Sequence, residues 1–336
     1  MAWTPEERVR AAIALERPDR VPVVPCLLPE PAATLAGYSQ AEVAGDVGTA
    51  VQAIFEVFDA FGGWDAIYPG AYTPLQLQAD GTFPLRMKIP GIDLPADVPY
   101  QLEESEILQP HDYETIAEIG FESFYFEEFL WRLGNIEPKD LPHLQEERVR
   151  GGMLLIEGCT KRGVEPLFLA SSLHPFFALS LMRSLTRFIE DVYYAPELVE
   201  RALERMTNDL IETRLESAKQ LGRSLWLLTE ERASTAIFPP AVFERLWWPY
   251  TRRIVDAFFS AGIVTLFHLD TCWDGNLAYF KQLPQGSAVL EFDGSTNLVA
   301  AARQLGIFAN HHQAQRMKGA DTQSVGPLAQ TLLQPL

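Results

Sequence analysis

Several short segments of this chain gather residue types that can do chemistry. His268-Leu269-Asp270-Thr271-Cys272 places an imidazole, a carboxylate and a thiol at alternate positions. In extended backbone alternate side chains share a face, so His268, Asp270 and Cys272 are expected to project together. All three types bind Zn²⁺, and thiolate with imidazole is a common zinc pairing. A tetrahedral site would need one more ligand from elsewhere, or a substrate thiol. The plainer alternative is a hydrogen-bonded His beside a buried Cys. In Thr229-Glu230-Glu231-Arg232, Glu230 is the candidate catalytic carboxylate, able to ligate metal, accept a proton or hold a substrate amide. Arg232 is a candidate substrate contact, with a salt bridge to neighbouring acids as the alternative. Asp65, after Trp64, could hydrogen-bond a ligand N–H or hydroxyl, or cap a turn. His174, in Ser171-Ser172-Leu173-His174-Pro175-Phe176, could line a pocket or hold a strand–helix corner. Asp293, followed by Gly294, ends an apolar run and is a further substrate-binding candidate.

Such residues matter if strand ends bring them together, and the pattern of elements predicts that arrangement. Thr4-Pro5-Glu6-Glu7 starts a helix expected to run to about Glu16, followed by a short strand over Val21–Val24. A helix over Gln40–Phe61 stops at Gly62-Gly63, and Trp64–Tyr68 reads as the next strand. Residues 71–110, rich in Pro and Gly, predict an inserted hairpin or lid, followed by helical stretches near 112–133 and 141–163. From there strands over Glu165–Ala170, Leu225–Leu228, Ile263–His268 and Ala288–Phe292 alternate with helices. SLHPFFALSLMRS (172–184) reads as a loop and short helix, and further helices fall at Pro196–Leu221 (stopped by Gly222), Ala241–Ser260, Asn276–Gln282 and Asn297–Leu305. Buried strands alternating with amphipathic helices predict a parallel sheet, and five or more such units favour a (β/α)₈ TIM-type barrel over an open sheet. In such barrels functional residues lie at the C-terminal strand ends. The aromatics Phe121–Trp131 and Trp247-Trp248-Pro249-Tyr250 read as packing.

The 336 residues carry a net charge of −18, with 47% hydrophobic and 21% charged residues. That composition is globular, and the acidic balance argues against nucleic acid or another polyanion as partner. No run of 18 apolar residues predicts a membrane span, and the charged N-terminus is unlike a signal peptide. Three scattered cysteines fit a reduced, cytoplasmic protein. No GxGxxG or GxxxxGK[ST] follows any strand, which argues against nucleotide binding.

The segments TPEERVRAAIALERPDRVPV, FGGWDAIYPG, PFFALSLMRSLTRFIEDVYYAPELVERALE, TEERASTAIFPPAVFERLWWPYTRRIV, HLDTCWDGNLAYFKQLP and DGSTNLVAAARQLG appear in this order. Together they resemble the uroporphyrinogen decarboxylase superfamily, over residues 4 to 306. The resemblance implies a (β/α)₈ barrel and two principal activities: tetrapyrrole decarboxylation and corrinoid-dependent methyl transfer. The decarboxylase pattern has an Arg-containing PxWxMRQAGR stretch after the first strand, matched to a substrate with eight carboxylates. Here the region reads PCLLPEPAATLAGYS, and no Lys or Arg occurs from Val21 to Leu85. A polyanion there would lack cationic partners, so methyl transfer is the favoured expectation. The substrate would be a small methylated or methoxylated compound or a thiol, and the corrinoid would ride on a separate protein docking at the barrel mouth. Uroporphyrinogen decarboxylation and a non-catalytic barrel are the alternatives. The methyltransferase branch also implies a His–x–Cys zinc pair. This sequence keeps His268, has Asp270 at the Cys position, and places Cys272 two residues on. Beyond Gly306 the chain departs from the pattern, which predicts a barrel domain over 1–306 and an atypical tail over 307–336. A second subunit, as in a homodimer, could cover the edge left by an incomplete last unit. His311-His312 in that tail are a weak substitute metal pair, since neighbours in extended backbone face opposite ways.

Overall fold

A computed structural model describes residues 3–168, 170–221 and 225–306. Gly222, the tail over 307–336 and His311-His312 lie outside the described residues. The chain is α/β, with a parallel sheet of four strands in the order β3 (Ser171–Leu173), β4 (Leu225–Glu230), β5 (Val264–Leu269) and β6 (Ala288–Phe292). A separate antiparallel hairpin pairs β1 (Arg86–Lys88) with β2 (Gln101–Glu103), within the stretch expected to carry an insertion. No helix among the described residues is long and apolar enough to cross a membrane.

Two further positions extend the parallel sheet without forming full strands. Ile67 bridges Pro166, with the Ile67 N–H donating to Glu165 O and the Leu167 N–H to Ile67 O. The Asp65 N–H donates to Val23 O at 2.8 Å. Pro22, Pro25 and Pro166 have no N–H to give, so the ladders expected over Val21–Val24 and Glu165–Ala170 shrink to single contacts. Tyr68, Phe168, Leu225, Leu227 and Leu266 pack together with Val289 on the inner face. The sheet therefore curls, but among the described residues no eight-stranded closure is present.

The outer face of β4 and β5 supports the largest core. Trp226, Leu228, Phe267 and Leu269 meet Phe176, Phe238, Phe243, Trp247 and Phe258 from the helices. Phe124, Tyr125 and Phe129 are fully buried in the same core, as their reading as packing residues predicts. Local chemistry trims the expected helices. The first helix, Pro5–Ile13, begins with the Thr4–Glu7 capping box, and Leu15 beyond its end has a positive φ. The stretch Ala241–Ser260 divides into Pro240–Leu246 and Trp248–Ser260, because Pro249 cannot donate into a continuous helix. The stretch near 112–133 breaks at Gly120, whose φ of +88° is costly for any residue with a Cβ.

Candidate metal centre at the strand ends

Strand alternation decides which face each acid reaches. In β4, Leu228 and Glu230 point outward into the helical core, whereas Leu227 points inward. Glu230 is fully buried there, against the expectation that it faces the mouth. Its Oε1 accepts the N–H groups of Arg232 (2.9 Å) and Ala233 (3.1 Å), and its Oε2 accepts Trp247 Nε1–H at 2.7 Å. His174 Nδ1 lies 3.4 Å from Oε2. Burial pushes Glu230 up to about 8. The turn held by Glu230 leaves the next residue, Glu231, free to face the mouth.

There Glu231 meets His268 and Asp270. One ligand atom from each lies within 4.8 Å of the others, the only such group among the described residues. The parallel register pairs Thr229 with His268 and His268 with Glu291. His268 Nδ1 sits 3.1 Å from Glu291 Oε2, while Nε2 faces Asp270 Oδ1 at 3.6 Å. Both His268 Nδ1 and Glu291 Oε2 are buried atoms without a well-aligned hydrogen-bond partner. Burial opposes charge on His268, but Glu291, Asp270 and Glu231 outweigh it and raise its pKa. Burial, then Asp270, raises Glu231, against the pull of His268 and Arg232.

Cys272 does not join the group. β5 ends at Leu269 and Thr271 takes a φ of +68°, so the alternation that would align Cys272 with Asp270 is broken. The other candidates also have settled structural contacts. Asp65 lies at the start of its strand segment, at the opposite end from the mouth, beside the first helix. It is 1% exposed and takes Arg8 Nη1 (2.5 Å), Arg20 Nη1 (2.6 Å) and the Val23 N–H (2.7 Å). His174 is fully buried as the N-cap of the helix Pro175–Arg183. Its Nδ1 accepts the Phe176 N–H at 3.2 Å, its Nε2 lies 3.1 Å from Thr251 Oγ1, and burial pushes it down to about 3. Arg232 donates to Glu104 (3.1 Å) and to Ser180 O (3.0 Å), tying the β4 loop to the end of the hairpin. Asp293 accepts both the N–H and the hydroxyl of Ser295, which hold its carboxyl below the usual range.

Residues that the sequence reading passed over complete the mouth. The Tyr68 hydroxyl lies beside Glu291 and Cys26, and burial and those neighbours raise its pKa. Glu30 sits 3.4 Å from the Tyr72 hydroxyl, with burial raising its carboxyl. A charged residue within the apolar strand AVLEF was the available signal for Glu291. Glu231 stands in the segment Thr229–Arg232, but its residue type alone does not say which face it takes.

The donor set of one imidazole and two carboxylates suits a divalent cation such as Zn²⁺. Glu291 against the second imidazole nitrogen matches the carboxylate that commonly orients a ligating His. Comparison with known proteins gives a family and a fold. A solved structure of a methyltransferase from Methanosarcina mazei superposes with a TM-score of 0.60 at 15% identity, covering 91% of this chain and 81% of that one. No curated protein matches. The family model "Uroporphyrinogen decarboxylase (URO-D)" matches residues 161–329, half of the sequence, and the chain belongs to that family.

Proposed function

We propose that this protein is a metal-assisted methyltransferase within a (β/α)₈ barrel. It would move a methyl group between a small methylated or methoxylated compound, or a thiol, and a corrinoid carried by a separate protein. The observation that carries the reading is the Glu231–His268–Asp270 group at the strand ends, backed by Glu291. Its surroundings support the same choice. Glu30, Glu231, Asp270 and Glu291 make the mouth acidic, and the nearby guanidinium of Arg232 is engaged by Glu104 and Ser180. A substrate bearing eight carboxylates would meet repulsion rather than cationic partners there.

Glu231, His268 and Asp270 would hold the metal, which would supply Lewis acidity toward a thiol or an ether oxygen. Glu291 lies against Nδ1 of the imidazole and Asp270 against Nε2. Glu230 fixes the 230–233 turn through its two backbone contacts and so aims Glu231. Loss of a methyl group from an ether would leave an oxyanion, and a cation held by Glu231, His268 and Asp270 would stabilise that charge.

Metal analysis of the purified protein and of His268→Ala tests this reading, with methyl transfer followed by the cobalamin absorbance change. One divalent ion per chain, lost in the variant together with transfer, is expected. Conversion of uroporphyrinogen to products with fewer carboxylates, without methyl transfer, would overturn it.

A further inference from the structure

We propose that Cys26 is the thiolate ligand that completes the metal site formed by Glu231, His268 and Asp270. The inference rests on the metal-assisted reading above and extends it to a residue far away in sequence. A tetrahedral metal needs a fourth donor, and the described residues bring only three into one group.

Parallel strand geometry places Cys26 at the mouth. The Asp65 N–H to Val23 O hydrogen bond sets Val23 beside Asp65. Three residues further along each segment, about 10 Å at strand rise, are Cys26 and Tyr68. Their side chains are in fact neighbours, and Tyr68 is also beside Glu291, which touches His268. The chain of contacts thus runs Cys26, Tyr68, Glu291, His268.

The local backbone presents the thiol. The Leu27 N–H donates to Pro25 O at 2.9 Å, a three-residue turn with Cys26 at its apex. Cys26 is exposed, and Pro25 cannot tie the turn to a neighbouring strand through an N–H. The thiol stands outside the 4.8 Å group, so binding needs this side chain and its turn to move toward the other three ligands. The other cysteines are worse placed. Cys159 is buried among the helices Val47–Phe61 and Leu141–Arg162, and Cys272 lies beyond the left-handed Thr271.

The charge balance around Cys26 favours a cation. Both charged groups near its thiol, Glu291 and Asp270, are carboxylates. A dication bound by Glu231 and Asp270 reverses the sign of that field, and the thiol proton is released to solvent as the S–metal bond forms. Thiolate also adds the soft donor that separates zinc from magnesium or calcium at a carboxylate-rich site.

Cobalt(II) titration of the full chain tests the proposal without using activity. Wild-type protein and Cys272→Ala should show both the visible bands of tetrahedral cobalt and the near-ultraviolet thiolate-to-cobalt charge-transfer band. Cys26→Ala and the near-isosteric Cys26→Ser, checked for a native melting midpoint, should keep visible bands and lose the charge-transfer band. Visible bands without charge transfer in wild type, or charge transfer that survives in Cys26→Ser, would overturn the Cys26 ligand while leaving the metal reading in place. No cobalt binding by wild type would overturn the metal reading itself. His268→Ala should lose both sets of bands.

Discussion

Asp65→Asn separates a structural carboxylate from a catalytic one. In the folded protein Asp65 is buried and accepts from Arg8, Arg20 and the Val23 N–H. The asparagine oxygen can still accept from Val23, but its NH₂ would face guanidinium donors. Removing one partner of a buried ion pair costs about 3–5 kcal/mol. The lower end applies, because Asp19 still holds Arg8 through Nε (2.6 Å) and Nη2 (2.9 Å), and Arg20 is 44% exposed and can turn to water. With an unfolding entropy of about 2.1 cal/mol/K per residue, a loss of about 3 kcal/mol lowers Tm by about 4 °C in a chain of 336 residues. The pH dependence has a definite sign. Burial alone would raise the Asp65 carboxyl, but Val23, Arg8 and Arg20 hold it below its ordinary value of 3.8. Its stabilisation is therefore present above that value and lost as pH falls through the depressed folded value. Calorimetry across pH 2.5–7 (roughly the range that linkage brackets) should show a lower midpoint in Asp65→Asn at neutral pH and convergence with wild type in acid. Metal content per folded chain should be unchanged. A variant that melts like wild type yet loses metal or methyl transfer would refute the argument and return Asp65 to the functional site.

Three other outcomes follow from the same contacts. In the folded pair Glu230 holds the proton and His174 is neutral, with burial pushing them to about 8 and about 3. The depressed His174 value takes stability away as pH falls below 6.5, whereas the raised Glu230 value takes it away as pH rises from 4.5 through 8. Of this pair only Glu230 changes between about pH 6.5 and 8, so the stability of wild type should fall with pH more steeply than that of Glu230→Gln, by about 1 kcal/mol per pH unit; equal slopes in urea unfolding would contradict the assignment. Gly158→Ala should destabilise by about 1–3 kcal/mol, because its Cβ would stand 2.0 Å from Phe55 Cε2, and Phe55→Leu in the same chain should recover part of the loss. Asn135 accepts the Met87 N–H at 3.1 Å and donates to Met87 O at 3.0 Å, standing in for a strand beside β1. Asn135→Ala should speed amide exchange at Met87 about tenfold, as loss of about 1.4 kcal/mol of local stability would require; an unchanged rate would show that the hairpin is held elsewhere.

Much of the architecture was legible because it depends on local periodicity. The amphipathic stripe of Pro196–Leu221, the capping box at Thr4 and the strands expected over Leu225–Leu228, Ile263–His268 and Ala288–Phe292 appear within two residues of where the pattern puts them. The strand expected over Glu165–Ala170 instead gives way to β3 at Ser171–Leu173, in the stretch expected to be a loop. Expected strands failed where proline removed donors, and the long helix failed at Pro249, both consequences readable in hindsight from the same residues. The site was legible only in part. His268 and Asp270 share the mouth, as alternation predicts, but the prediction for Cys272 extended that alternation through Thr271, whose left-handed conformation no residue type announces.

By itself the sequence determined the α/β class, the family, the acidic surface and the placing of chemical residues at strand ends. These follow from hydrophobic period, composition and motif order, which are properties of neighbours along the chain. Tertiary structure alone decided that Glu231 rather than Glu230 faces the mouth, that Glu291 backs His268, that Asp65 pairs with two arginines, and that Cys26 stands beside Tyr68 and near Glu291, more than 200 residues away in sequence. Each depends on which face a side chain takes once strands are paired. A one-residue change of phase exchanges the pocket for the core, and strand ends, where turns interrupt the alternation, are where that phase is least determined by sequence.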